Sequence, residues 1–288
     1  MSPPPATWKT LDLIKEATQF LASREIENPR LEVELLLAAA LGLRRIDLYL
    51  QFERTLPADE VEAFRGHVRE RLTGRPVQYI TGETGFRLLD LEVTPDVLIP
   101  RPETELLVEQ ALSLAGEQAH ATALDLGCGS GAIAIALATE SPALRVTASD
   151  LSPAALAVAA KNRDRHDIAD RLQLLCGDLF GPLRADVCFD LIVSNPPYIE
   201  TEEIESLQPE VRDHEPRLAL DGGGDGLEVI RRIIRAAPGH LRPDGALLLE
   251  VGHTQADRVS ELMADDGFVP SIHQDLAGIP RIVIGRHT

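Results

Sequence analysis

The chain has 288 residues, more than one hydrophobic core usually serves, so a large domain with a smaller companion is expected. Its 44% hydrophobic and 4% aromatic residues supply enough apolar surface for a packed globule and exclude a disordered composition. A formal net charge of −18 repels phosphate backbones and argues against free nucleic acid as a partner, while 28 basic residues leave room for a local patch.

The predicted elements begin with short helices over residues 1–75. Leu11, Ile14, Thr18 and Leu21 recur at helical spacing, as do Val61, Phe64, Val68 and Leu72. Pro29 follows Asn28, Pro57 precedes Asp59 and Glu60, and Gly74 and Pro76 close the last helix. This segment reads as an N-terminal helical domain that docks substrate. Over residues 76–100 the pattern turns to alternation: Val77, Tyr79, Phe86, Leu88, Leu91 and Val93 bracket Gly82 and Gly85, which predicts a β-hairpin linker. From residue 101 to 288 helical stretches alternate with apolar runs at Ala121 to Leu126, Leu144 to Ala148, Leu172 to Leu175, Phe189 to Ser194 and Ala246 to Val251. That alternation predicts an α/β, doubly wound, Rossmann-like and mostly parallel sheet, with ligand at the strand carboxyl ends. Cys128, Cys176 and Cys188 have no metal-ligand spacing and are odd in number, so neither zinc nor a disulfide framework is expected. No run reaches about 18 uncharged apolar residues, and Met1 to Thr10 lacks a signal-peptide core, so a cytoplasmic protein without membrane attachment is expected.

Asp125-Leu126-Gly127-Cys128-Gly129-Ser130-Gly131 stands where the first strand of the large domain should meet a helix. Glycines there let backbone approach a ligand closely. Gly127, Gly129 and Ala132 with Asp150 also satisfy a dinucleotide fingerprint, so a nicotinamide enzyme is one reading. Asp125 would then face a diphosphate, a costly like-charge contact, whereas S-adenosylmethionine carries no phosphate and has cationic ammonium and sulfonium groups. The loop therefore favours the methyl donor, with Asp150 accepting from both ribose hydroxyls. After the third strand, Asp178 could accept from an adenine amino group and Leu179 or Phe180 cover the ring, although an Asp after Gly177 is also an ordinary turn residue.

Asn195-Pro196-Pro197-Tyr198 follows the buried run ending at Ser194 and is the most informative segment. An amide or exocyclic amine nitrogen is a poor nucleophile because its lone pair is delocalised. Two acceptors, the Asn195 side-chain oxygen and the Pro196 carbonyl, can each take one N–H and turn the remaining lobe toward the methyl carbon. Prolines 196 and 197 stiffen the turn, and Tyr198 can stack on a planar target. The methylated nitrogen is acidic, so no strong base is required. A plain Pro-Pro turn is the competing reading, but this one follows the strand expected beside the glycine loop.

Taken together, Pro76 to Gly82, Leu98 to Glu105, the glycine loop, Ser149-Asp150, Gly177 to Phe180, Asn195 to Tyr198 and Glu215 to Leu220 resemble the bacterial release factor glutamine methyltransferases. This protein-(glutamine-N5) methyltransferase family modifies the glutamine of a Gly-Gly-Gln tripeptide in peptide chain release factors. The resemblance implies that the donor is held by Asp125, Gly127, Cys128, Gly129, Ser130, Gly131, Asp150, Asp178, Leu179 and Asn195. It implies that the target amide meets Asn195, Pro196, Pro197 and Tyr198, with Asn195, Pro196 and Tyr198 catalytic. It further implies S-adenosyl-L-methionine as cofactor, no metal, release factors as partners, and action as a monomer. Arg101 to Glu105 is the most discriminating segment, since nucleic-acid adenine methyltransferases share the tetrapeptide but do not usually carry it. Such an adenine enzyme and a non-catalytic donor-binding adaptor are the alternatives. Two departures from the family pattern are Arg87-Leu88-Leu89, where a glycine is frequent, and Leu179, where an aromatic can cover adenine.

Overall fold

A computed structural model describes residues 7–116 and 121–287. Part of the Met1 to Thr10 reading lies outside them. The chain divides into two compact units, Met1–Gly82 and Glu83–Thr288.

In the first unit, β1 (Trp8–Lys9) leads into α1 (Thr10–Ala22), followed by α2 (Pro29–Leu41), α3 (Arg45–Tyr49), β2 (Thr55–Leu56), α4 (Ala58–Arg71) and α5 (Val77–Thr81). Pro29 occupies the first turn of α2, where its missing N–H costs nothing, and Gly42 ends the helix in the left-handed conformation. Leu21, Leu36, Leu37, Leu48 and Phe64 are fully or almost fully buried in its core. A buried ion pair joins Arg71 Nε to Glu32 at 2.6 Å across α4 and α2.

Val77 to Thr81 is helical, contrary to the alternation read there, and Val77 packs into the helical core. Pro76 opens this turn and Gly82, at φ 79°, closes it. The hairpin is confined to β3 (Glu83–Phe86) and β4 (Leu89–Glu92). Phe86, Leu89 and Leu91 are buried in the core of the second unit, so the hairpin belongs to that unit's packing.

The second unit continues with α6 (Thr104–Ala115), β5 (Thr122–Leu126), α7 (Ala132–Glu140), β6 (Arg145–Asp150), α8 (Pro153–Arg165), β7 (Leu172–Cys176), β8 (Phe189–Ser194), α9 (Pro209–His214) and α10 (Glu228–Ala236). β9 (Leu241–Glu250), α11 (Ala256–Asp265), β10 (Phe268–Gln274) and β11 (Pro280–His287) complete it. The seven-stranded sheet has the order β10-β11-β9-β8-β5-β6-β7. Its five central and right-hand strands are parallel, and β11 runs antiparallel to both neighbours. The strands are apolar on both faces because helices cover both. Ala123, Leu191, Val193 and Leu248 pack with α6 and α7, while Leu124, Ile192, Leu247 and Leu249 pack with α10 and α11. Each fully buried leucine stabilises the sheet by roughly 1.5–3 kcal/mol. The sequence reading omitted β10 and β11; Val269 and Ile272 at this edge remain exposed, which weakens the apolar signal.

Candidate functional site

Strand order reverses between β5 and β8, and the loops leaving these two strands open into one crevice. Leu126 stands opposite Ser194 in the parallel ladder, and the buried Ser194 hydroxyl donates to the Leu126 carbonyl at 2.7 Å. This bond fixes the start of the glycine loop against the start of Asn195-Pro196-Pro197-Tyr198.

Within the glycine loop, the Gly127 and Cys128 amides both donate to the Ser149 carbonyl, at 2.8 and 3.0 Å. Gly129 is left-handed at φ 55°, and a side chain there would meet nothing within 4 Å, so its backbone borders open space. Its amide donates to Asp150 Oδ2 at 2.8 Å, and Asp150 Oδ1 accepts from Ser152 N at 2.8 Å. Gly131 serves the fold instead: a Cβ there would come within 3.0 Å of Ile135 and 3.3 Å of Ala159.

The crevice encloses about 380 Å³, the size of a small-molecule site. Gly127 to Ser130, Asp150, Asp178, Leu179, Asn195 and Pro197 all line it. Asp96, Asp150, Asp178 and Asp221 face Arg101 and Arg232, so carboxylates outnumber guanidiniums on its walls. That balance suits a cationic ligand and disfavours a diphosphate. Asp178 Oδ2 is paired with Arg232 Nη2 at 2.5 Å, both half exposed, and such a pair is weak enough for a ligand to rearrange. Leu179 sits at φ 49°, a conformation that costs a leucine about 1–2 kcal/mol, and its carbonyl accepts from the Ser149 hydroxyl at 3.1 Å.

Asn195 Nδ2 donates to Thr104 Oγ1 at 3.2 Å, and Oδ1 has no hydrogen-bond partner among the described residues. Asn195 therefore presents an acceptor that is already oriented.

Besides Gly131, which is not on the crevice wall, three residues depart from their expected places. Asp125 is fully buried and absent from the crevice wall. Its Oδ2 accepts from Ala134 N at 3.2 Å, so the carboxylate caps the start of α7. Burial pushes its carboxyl up to about 7, the Ala134 amide offsets this, and the Asp150 charge adds to it. Pro196 is buried behind the wall. Tyr198 also lies off the wall, packed against the α10 and α11 core, with its carbonyl accepting from Gln255 Nε2 at 2.9 Å. Burial and then the Glu250 charge push its phenol up to about 12, so it stays neutral.

Residues 12–82 match the family model described as PrmC N-terminal domain, and residues 102–213 match Methyltransferase small domain. A release factor glutamine methyltransferase of Geobacter sulfurreducens is 48% identical over 288 residues, covering 99% of this chain and 99% of that one. Its counterpart in Chlorobaculum tepidum is 44% identical over 287 residues, 97% of each chain. The chain belongs to the release factor glutamine methyltransferase family. It is thus a methyltransferase, and its fold agrees. A methyltransferase from Pyrococcus furiosus superposes with a TM-score of 0.53 at 18% identity, covering 77% of this chain and 98% of that one.

Further residues, given no site role above, line the crevice of this family member or support it. Pro95, Val97, Pro100, Pro216, Leu218 and Ala219 all line it. Thr104, named above only as part of the discriminating Arg101 to Glu105 segment, touches Asn195. Buried Asn162 on α8 donates to the Ser130 carbonyl at 3.0 Å and exchanges bonds with the Glu92 backbone at 2.7 and 2.9 Å, tying the glycine loop to the hairpin. Its signal was available: Ala155, Val158, Ala159 and Asn162 share one helical stripe, and only the last is polar. Glu250 was legible in the same way, as a carboxylate closing Leu247-Leu248-Leu249.

Among the described residues no cluster of His, Cys, Asp and Glu could hold a metal ion, and no helix is long and apolar enough to cross a membrane.

Proposed function

We propose that the chain transfers the methyl group of S-adenosyl-L-methionine to the side-chain nitrogen of the glutamine in the Gly-Gly-Gln tripeptide of release factors. The observation that carries this reading is the Asn195 side chain, held by Thr104 through its nitrogen with its oxygen left for a target N–H. Gly127 to Ser130 and Asp150 fit the donor: backbone borders open space at Gly129, and Asp150 offers lone pairs beyond those engaged by Gly129 and Ser152. Leu179 and the half-exposed Asp178 complete the donor side. When bound, S-adenosylmethionine supplies an electrophilic methyl carbon.

The chain's own residues then act on the amide. Asn195 Oδ1 takes one N–H, which directs the nitrogen lone pair along the transfer line. Pro197 lines the crevice beside Asn195. The proton lost from the methylated nitrogen leaves to water or through the same acceptor. Tyr198 serves as packing under the turn and not as a base, since its phenol stays protonated. The N-terminal unit, residues 1–82, docks the release factor, and the protein acts in the cytoplasm as a monomer.

Incubation with tritiated donor and intact release factor, release factor lacking the tripeptide glutamine, duplex DNA, or buffer tests this. Label should enter only the intact factor. Label in DNA would favour an adenine methyltransferase, and donor binding without any label a donor-binding adaptor.

A further inference from the structure

Glu250 ends β9 one residue beyond Leu249, the strand partner of Ser194, which places it beside Asn195 where the two parallel strands finish. Only 2% of Glu250 is exposed, and its Oε2 is buried without a hydrogen-bond partner. Thr104, itself 4% exposed and at the first position of α6, turns its hydroxyl toward the Glu250 carboxylate and steadies its charge. Thr104 Oγ1 also receives Asn195 Nδ2 at 3.2 Å. A carboxylate oxygen buried without a full set of partners costs stability that a fourth leucine in this run would not. Packing therefore does not account for it.

The chemistry of the three groups has a direction. An ionised carboxylate can only accept, so the single Thr104 hydroxyl hydrogen goes to Glu250. Toward Asn195 the hydroxyl is then left with lone pairs alone. Those lone pairs take the amide nitrogen, and the amide oxygen is the end turned away. If Glu250 carries a proton, it can donate to Thr104, whose own hydrogen is freed for Asn195 Oδ1. The amide then turns over, and its NH₂ meets a target that itself offers N–H.

We propose that Glu250 and Thr104 are positioning residues that set, by hydrogen-bond direction, which end of the Asn195 amide faces the methyl acceptor. This inference rests on the reading of Asn195 given above. Neither residue touches the substrate; both act through Asn195. The groups that face Glu250 are Thr104, Glu103, Arg101, Arg281 and Tyr198. Burial pushes its carboxyl up to about 7, the Thr104 hydroxyl offsets this, Glu103 adds to it, and Arg281 and Arg101 oppose it. Transfer should therefore weaken as the pH falls through about 7, because the protonated carboxyl reverses the relay.

The test is single-turnover methyl transfer to release factor at saturating donor, from pH 6 to 9, with donor dissociation constants measured in parallel. Wild type should lose rate along a one-proton limb below about pH 7. Thr104→Val, which keeps the shape and removes the hydroxyl, should slow transfer on the order of 100-fold with donor affinity nearly unchanged, and Thr104→Ser should recover most of that loss. Glu250→Gln should be slow and should lack the limb, which separates Glu250 from Asp125, the other carboxyl placed near 7. Should Glu250→Gln fail to fold, the wild-type profile and the two Thr104 variants decide. Wild-type rates in Thr104→Val, or a limb retained in Glu250→Gln, would overturn the relay while leaving glutamine methylation standing. No transfer by wild type at any pH would overturn both.

Discussion

Asp150, at the end of β6, holds the Gly129 amide at 2.8 Å with one carboxylate oxygen and the Ser152 amide at 2.8 Å with the other. One side chain thus shapes the glycine loop and borders the crevice. Asp150→Ala removes both the loop's anchor and a charged acceptor for ribose hydroxyls, and should weaken donor binding by roughly 1.5–3 kcal/mol. Titration calorimetry reads this directly. An unchanged dissociation constant in a folded variant would place the donor elsewhere.

Asn195 is the residue whose loss should separate binding from chemistry. Asn195→Ala removes the oriented acceptor and should slow single-turnover transfer on the order of 100-fold or more, with donor affinity changed far less. Asn195→Asp keeps an acceptor but brings a charge and loses the N–H given to Thr104, so partial activity is expected. Transfer by the Ala variant at the wild-type rate would remove Asn195 from the reaction.

Asp125 gives a pH signature in stability. Its carboxyl is raised from an ordinary aspartate to about 7 by burial, so folding favours the protonated form. The unfolded chain sheds that proton near pH 4 and the folded chain only near 7. This contribution is full below about pH 4 and declines by about 1.4 kcal/mol per pH unit until it is gone above 7. Asp125→Asn keeps an acceptor for Ala134 N and cannot ionise. Denaturant titrations at pH 5 and pH 8 should show wild type losing stability relative to this variant as the pH rises. Parallel curves for the two proteins would show that Asp125 ionises normally.

The helical unit has its own core and lacks every crevice residue. A fragment of residues 83–288 should therefore bind donor like the full chain yet methylate intact release factor poorly. Equal rates for fragment and full chain would rule out docking by residues 1–82.

What the sequence made legible follows from period and position. The parallel strands were readable because helices cover both faces and leave unbroken apolar runs such as Leu191-Ile192-Val193. The two main site motifs were readable because each stands directly after such a run. Val77 to Thr81 was misread because five residues span little more than one helical turn, too few to separate a period of 3.6 from one of 2. Asp125 was misplaced for a different reason. Spacing puts it at a strand end, but only the packed structure shows that its side chain is buried and reaches the Ala134 amide of α7. Thr104 and Glu250 lie 146 positions apart, and no local pattern links them.

The hairpin turn at Arg87 sits at φ 51°, a backbone state in which glycine is at ease and arginine is not. Arg87 stays there because its amide donates to Glu105 Oε1 at 2.9 Å and its guanidinium grips Glu140 at 2.5 and 2.6 Å. The strain of one residue is thus met by an acid at the far end of α7. A relative with glycine at this turn has no strain to offset and no cation to pair. Positions 87 and 140 should therefore change together among relatives, arginine with an acid and glycine with no charge preference. Arg87→Gly should in turn rescue much of the stability lost in Glu140→Ala.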